Sequence, residues 1–211
     1  MTERPGLRER KKQRTRQAIC DTALRLFLSR GFDEVSIVEI AEAAEISKRT
    51  LFTYFPTKED LVLERFADHE DESARVVRAR PAGTSPLAAL HAHELDGLAR
   101  RDPVTGLTSD PEALAFARLL ATTPSLGDRL LRYAGRSTDA LAAALEEAGA
   151  DGLTARLAAA QIITVQRTLA RHNGAEVQAG RPADEVYPEA VAATDRAFRL
   201  LGTGLADALT A

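Results

Sequence analysis

The 211-residue sequence has no tryptophan, one cysteine, one methionine and an aromatic content of only 5%. Cys20 has no partner within the chain, which excludes an intrachain disulfide framework and fits a reducing cytoplasm. No stretch approaches the roughly 18 apolar residues of a membrane span, so no membrane partner is expected. The first residues are charged, but no apolar run follows them, so a secretory signal is not expected. Long runs of Val, Ile and Thr are missing, which argues against a sheet. There is no glycine-rich phosphate loop, no Ser-x-x-Lys and no nucleophile elbow. No acid, base and nucleophile converge at a recognisable spacing, so neither an enzyme nor a cofactor is expected. His91 and His93 are two apart, which points their rings to different faces of a helix and gives no metal site.

What the sequence does have is alanine, leucine and helix punctuation. Hydrophobic residues make up 45% of the chain, and Ala and Leu dominate its second half, which favours helices with a sizeable core. Net charge is −3, but it is unevenly spread. Residues 1–58 carry 12 Lys or Arg against 8 Asp or Glu, and the remainder carries 16 against 23. A basic small end on an acidic body suits a polyanion partner, although charge alone equally fits a solvated tail.

The expected fold class is all-α, with about nine or ten helices. Residues 1–13 read as a flexible basic arm, 14–58 as a small three-helix domain, and 59–211 as a larger helical domain. Helix 1 is expected from about Thr15 to Arg30, with Gly31 at its stop. Ser36 and Glu39 form a Ser-x-x-Glu capping box for helix 2, Ser47 caps helix 3, and Pro56 ends it. Thr57 caps a fourth helix, about 57–77, that links the two domains. Further helices are expected near 87–101, 112–121, 126–148, 154–172 and 184–209, separated by Pro and Gly.

Residues 36–55, SIVEIAEAAEISKRTLFTYF, carry most of the information. Two short helices share an apolar seam of Ile40, Ala44, Ile46, Leu51 and Phe55, with small Ala41 at the close approach. The second helix turns Lys48, Arg49, Thr50, Thr53 and Tyr54 outward, a donor-rich face on a packed scaffold. Taken alone, Lys48 and Arg49 suit a solvated surface helix better than a DNA-reading one.

The pattern Ile40-Ala41, Ala44, Ile46-Ser47, Thr50-Leu51-Phe52, Tyr54-Phe55-Pro56 and Lys58-Glu59-Asp60-Leu61, preceded by Gly31-Phe32 and Ser36, resembles the signature of the TetR/AcrR family of transcription factors. The match covers about residues 14–66. Two positions depart from it. Glu45 occupies a turn position that is usually Gly, at a strain of roughly 1 kcal/mol if it must be left-handed. Phe52 stands where the family often has Tyr, removing one phosphate hydrogen bond.

The resemblance implies an N-terminal helix-turn-helix DNA-binding domain and a C-terminal ligand-binding and dimerisation domain. The expected function is a regulator, most simply a repressor, released from double-stranded palindromic operator DNA by a small effector. A DNA-binding activator and an architectural protein without an effector are the alternatives, with a helical enzyme as a remote one. Arg49 suits base reading, because its planar fork matches guanine in the major groove. Thr50 and Lys48 suit bases or backbone, and Ser36, Ser47, Thr53, Tyr54 and Lys58 suit phosphates. Arg8, Arg10, Lys11, Lys12 and Arg14 would add a flexible clamp giving affinity rather than sequence choice. The broad apolar surfaces of the last two helices suggest a two-fold four-helix homodimer interface through Ile162, Val165, Leu169, Phe198, Leu201 and Leu205. His91, Phe116, Arg118, Leu120, Tyr133 and Gln161 are the expected effector contacts. The whole-chain pattern is also similar to actinobacterial members of that family that sense fatty acyl or acyl-CoA-like ligands, which implies an apolar or amphipathic effector.

Overall fold

The computed structural model describes residues 6–204, and ten α-helices account for most of them. They are α1 (Leu7–Arg30), α2 (Ile37–Ala43), α3 (Lys48–Tyr54), α4 (Lys58–Leu63), α5 (Glu72–Ala79), α6 (Pro86–Ala99), α7 (Pro111–Thr122), α8 (Pro124–Glu147), α9 (Gly152–Gln178) and α10 (Ala183–Thr203). Two 3-10 segments, Glu64–His69 and Pro103–Thr105, lie between them. No strand occurs among the described residues, and none of these helices is long and apolar enough to cross a membrane.

The chain forms two compact units. The first holds the described residues up to Ala67 together with Arg118–Leu130, and the second holds Asp68–Ala117 and the chain from Leu131 onward. In the first unit α1 packs on α2 and α4, and α2 packs on α3. Its interior is built from Ile19, Ala23, Phe27, Phe32, Val35, Ile40, Leu51, Phe55, Leu61 and Val62. The Phe27 and Phe32 rings meet at 5.0 Å. Cys20 is buried there, and burial pushes its thiol up to about 12, which leaves it protonated and unreactive.

Two features of this unit differ from the sequence expectation. α1 starts at Leu7, not near Thr15, so Arg10, Lys11, Lys12 and Arg14 are exposed on a helix and not on a flexible arm. Pro5 and Gly6 are the last helix-unfavourable residues before an unbroken run of good helix formers. Residues 1–5 lie outside the described part. The fourth helix was expected to run to about Val77, yet α4 ends at Leu63 and gives way to a 3-10 segment before α5. No proline or glycine marks that change.

In the second unit α10 packs on α6 and α9, and α5 packs on α6. Ala74, Val77, Leu90, Leu141, Ile162 and Phe198 belong to one buried cluster, and Leu98, Leu107, Val186 and Ala190 to another. Ile162, Leu169 and Phe198 are thus buried within their own unit, and Leu201 packs on the same core as Ile162. Leu201 is itself only half-buried. Val165 is half-buried, and Leu205 lies outside the described residues.

α9 runs through Gly174 without stopping, because the turn after Pro103–Thr105 rests on it there. Gly106 adopts φ +74°, and a β-carbon on it would lie 1.9 Å from the Ala170 carbonyl oxygen and 2.9 Å from the Gly174 nitrogen. The Asn173 side chain donates to the Thr105 carbonyl at 3.0 Å beside this contact. Gly106→Ala would meet both a left-handed backbone and rigid main chain, and should destabilise the protein by about 3 kcal/mol. Chemical denaturation checks this, and an unchanged midpoint would contradict the packing described.

Candidate nucleic-acid interface and effector site

Two caps and one turn fix the α2–α3 hairpin. The Ser36 hydroxyl accepts from the Glu39 amide at 3.2 Å, and the Glu39 carboxylate accepts from the Ser36 amide at 2.8 Å, closing the capping box. Ser47 caps α3 by accepting from the Thr50 amide at 3.0 Å. At the end of α2 the Glu45 amide donates to Glu42 (3.0 Å) and the Ile46 amide to Ala41 (2.9 Å). This is the Schellman arrangement, whose pivot residue must be left-handed. Here the pivot is Glu45, at φ +53°. α6 ends in the same way at Arg101, φ +56°. Arg101, however, bonds Asp184 and lies over the Tyr187 ring, so its side chain offsets the strain. Glu45 is exposed and has no such bond among the described residues.

On α3, Leu51 and Phe55 point inward and are fully buried, whereas Lys48, Arg49, Phe52 and Thr53 are exposed. The Arg49 side chain has no hydrogen-bond or ion-pair partner among the described residues. Lys48 Nζ lies 5.9 Å from the Phe52 ring centroid. The hydroxyls are less free than their exposure suggests. Thr53 Oγ1 donates to the Arg49 carbonyl at 3.0 Å, so its one hydrogen is already committed. Phosphate oxygens only accept, so Thr53 must break that bond to reach one. Ser47 and Thr50 share a hydroxyl–hydroxyl bond of 2.8 Å, which leaves one hydrogen between them. Ser36 only accepts within its cap and keeps its hydrogen. Tyr54 is half-buried, its ring 6.5 Å from that of Phe55.

Lys58 departs from the phosphate role expected of it. Its ammonium donates to the Phe32 carbonyl and lies over the Phe32 ring at 4.3 Å, so it braces the packing of α1 and α4. Two other arginines, not foreseen, hold this unit together. Arg16 pairs with Glu64, donates to the Tyr54 carbonyl at 2.8 Å and stacks over Phe55 at 4.3 Å, which ties the end of α3 to α1. Arg129 donates to Thr57 Oγ1 at 2.7 Å and reaches Asp60 at 3.5 Å, and so secures the cap of α4. Both are ordinary Arg residues in charged stretches, and only the fold brings them to these partners.

The expected effector contacts do not converge as a set. Arg118 and Leu120 fold with the first unit, and Arg118 is exposed. Gln161 lies on the outer face of α9 and donates to its own Leu157 carbonyl. His91, Phe116 and Tyr133 do belong to the second unit. His91 bonds Asp195 at 2.8 Å and stacks on Phe198 at 4.9 Å. Phe116 is buried, and burial raises the Tyr133 phenol above its ordinary range.

A polar cluster, of which sequence spacing relates only His69 and Glu72, lies in the same unit. Glu72 accepts from His69 at 2.7 Å and from His93 at 3.1 Å, so His91 and His93 do diverge to different partners. Gln166 joins Ser73 at 3.2 Å to Glu94 at 3.4 Å. Glu94 is only 9% exposed, and desolvation pushes its carboxyl up to about 7. The bond to Glu72 raises His93, while the bonds from His69 and His93 hold Glu72 well below the usual carboxylate range.

The geometry defines a class, a helix-turn-helix unit joined to a second helical unit. Residues 19–64 match the family described as bacterial regulatory proteins, tetR family. The HTH-type transcriptional regulator TcmR of Streptomyces glaucescens is 35% identical over 136 residues, 64% of this chain and 59% of that one. The HTH-type transcriptional regulator AcrR of Shigella flexneri is 44% identical over 52 residues, 25% of this chain and 24% of that one. The chain thus spans less than two thirds of these curated relatives. A similar solved fold is NalD, the secondary repressor of the MexAB-OprM multidrug efflux pump in Pseudomonas aeruginosa. It has a TM-score of 0.58 at 17% identity, over 88% of this chain and 97% of that one. The chain is thus similar to regulators of the tetR family, most specifically over residues 19–64.

Glu45→Gly should raise stability by about 1 kcal/mol, because it relieves a left-handed side chain that has no compensating contact. Thermal melts of the variant check this, and a lower midpoint would contradict it. In the second unit, Glu94 and His93 both bind protons more tightly when folded. Their contribution is therefore full at low pH and fades as pH rises, from the ordinary 4.5 of Glu94 through about 7 and beyond. Glu72 acts oppositely, but only as pH falls below its ordinary 4.5. Stability should thus decline by on the order of 2 kcal/mol between about pH 5 and about pH 8, and Glu94→Gln should flatten that slope. Calorimetric melts across this range test it, and an equal slope in the variant would refute the assignment.

Proposed function

We propose that this chain is a sequence-specific, DNA-binding transcriptional regulator that works in the cytoplasm as a homodimer. It represses from a palindromic operator, and a small effector in its second unit releases it. The observation that carries this reading is the Arg49 guanidinium, exposed and unpaired among the described residues, next to Lys48 on a capped, packed helix. Such a fork supplies the bidentate donor geometry of guanine recognition. Exposed Arg10, Lys11, Lys12 and Arg14 on α1 add sequence-independent attraction to phosphates. The relatives described as transcriptional regulators support the same reading.

The dimer is proposed through the outer faces of α9 and α10. On α9, Leu153 and Leu157 are 63% and 56% exposed, and Ala160 and Thr164 continue the stripe. Small and apolar residues at i, i+4 and i+7 suit close packing on a symmetry-related helix. Two recognition helices on one two-fold axis would read the two halves of an inverted repeat. The proposed effector is amphipathic, held by apolar residues of the second unit such as Phe116 with His91 and Tyr133 as polar contacts. It acts by favouring a form of the protein with lower operator affinity.

Selection of duplexes from a random pool tests the function. The wild type should enrich one short inverted repeat, and Arg49→Ala should lose about 1–3 kcal/mol and tolerate any base at one guanine position. Uniform recovery of unrelated duplexes would instead favour an architectural protein and reject this reading.

A further inference from the structure

Among the described residues of the first unit, two large apolar side chains are exposed, Val38 on α2 and Phe52 on α3. Phe52 is 41% exposed, although the interior of its own helix-turn-helix is fully formed by Leu51 and Phe55. It sits on the working surface of α3. Ideal helix geometry puts it about 60° around the axis and about 4.5 Å along it from Arg49. It is also one turn from Lys48, whose ammonium faces its ring.

A phenyl ring can neither donate to phosphate nor pair with the polar edge of a base. In the major groove the one apolar group is the C5 methyl of thymine, which Phe is suited to cover. We propose that Phe52 is a specificity-determining residue that covers the C5 methyl of a thymine in each half-site of the operator. This rests on the reading of α3 as the recognition helix. Neighbouring bases on one strand are about 3.4 Å apart, so the thymine lies within one or two base pairs of the guanine read by Arg49. Thr53 is compatible with the assignment, because its hydroxyl hydrogen is spent on the Arg49 carbonyl and offers no free donor beside Phe52.

The test uses the full-length protein and the operator it selects from a random duplex pool. Each thymine is replaced in turn by deoxyuridine, which keeps the base-pairing edge and removes only the methyl. Wild type should lose about fourfold in affinity at one thymine position per half-site, the value expected for one buried methyl-sized group. Phe52→Ala should bind more weakly than wild type and respond equally to thymine and uracil there. Val38→Ala should keep the full thymine preference. If Phe52→Ala does not fold, the uracil scan of the wild type and the response of Phe52→Leu still decide the matter. A selected operator indifferent to every thymine-to-uracil change overturns the role of Phe52 and leaves the regulator intact. So does an equal uracil response in Phe52→Ala. Failure of the wild type to select any sequence overturns both.

Discussion

The first unit depends on the burial of Leu51 and Phe55 under α3. A helix of seven residues has no stability of its own in water, since nucleation costs more than so few hydrogen bonds return. α3 persists because these two side chains are fully buried, each contributing on the order of 2 kcal/mol. The same seating decides which residues face out. With Leu51 and Phe55 inward, helical periodicity leaves Lys48, Arg49, Phe52 and Thr53 outward. Arg16 reinforces the arrangement by stacking on Phe55 while bonding the last carbonyl of α3.

Around that seam the polar groups divide between structure and recognition. Lys58, Arg16 and Arg129 are cationic, yet each is tied to a carbonyl, a carboxylate or a hydroxyl within the unit. Lys48 and Arg49 have no such ties among the described residues and remain available. The hydroxyls divide in the same way once their single hydrogens are counted, with Ser36 keeping its own and Thr53 having spent it. The strained pivot at Glu45 is the local cost of joining α2 to α3 in so short a turn.

The parts of this structure that were legible in the sequence are those governed by local chemistry. Ser36 with Glu39, Ser47 and Thr57 mark the helix starts because capping is a short-range hydrogen-bond pattern, and Gly31 and Pro56 mark the stops. The left-handed Glu45 was foreshadowed only by the resemblance, whose signature carries Gly at that position. The parts that were not legible depend on contacts far apart in sequence. Nothing between Glu64 and Asp71 breaks a helix, yet α4 ends there. Ile162 and Phe198 follow a helical apolar pattern that fits an interface as well as a core, and only the packing of α6, α9 and α10 brings them into one buried cluster. The joining of Glu72 to His93, and of Glu94 to Gln166, likewise spans helices that no periodicity relates.

In the proposed function, the outward face of α3 enters the major groove of a duplex. Methylation interference on the selected operator tests it most directly. Dimethyl sulfate methylates guanine at N7 in the major groove and adenine at N3 in the minor groove. Modification of a guanine N7 in each half-site should abolish binding, while adenine N3 modification at neighbouring A·T base pairs is tolerated. Binding that survives every guanine N7 methylation but fails on adenine N3 methylation would contradict the account.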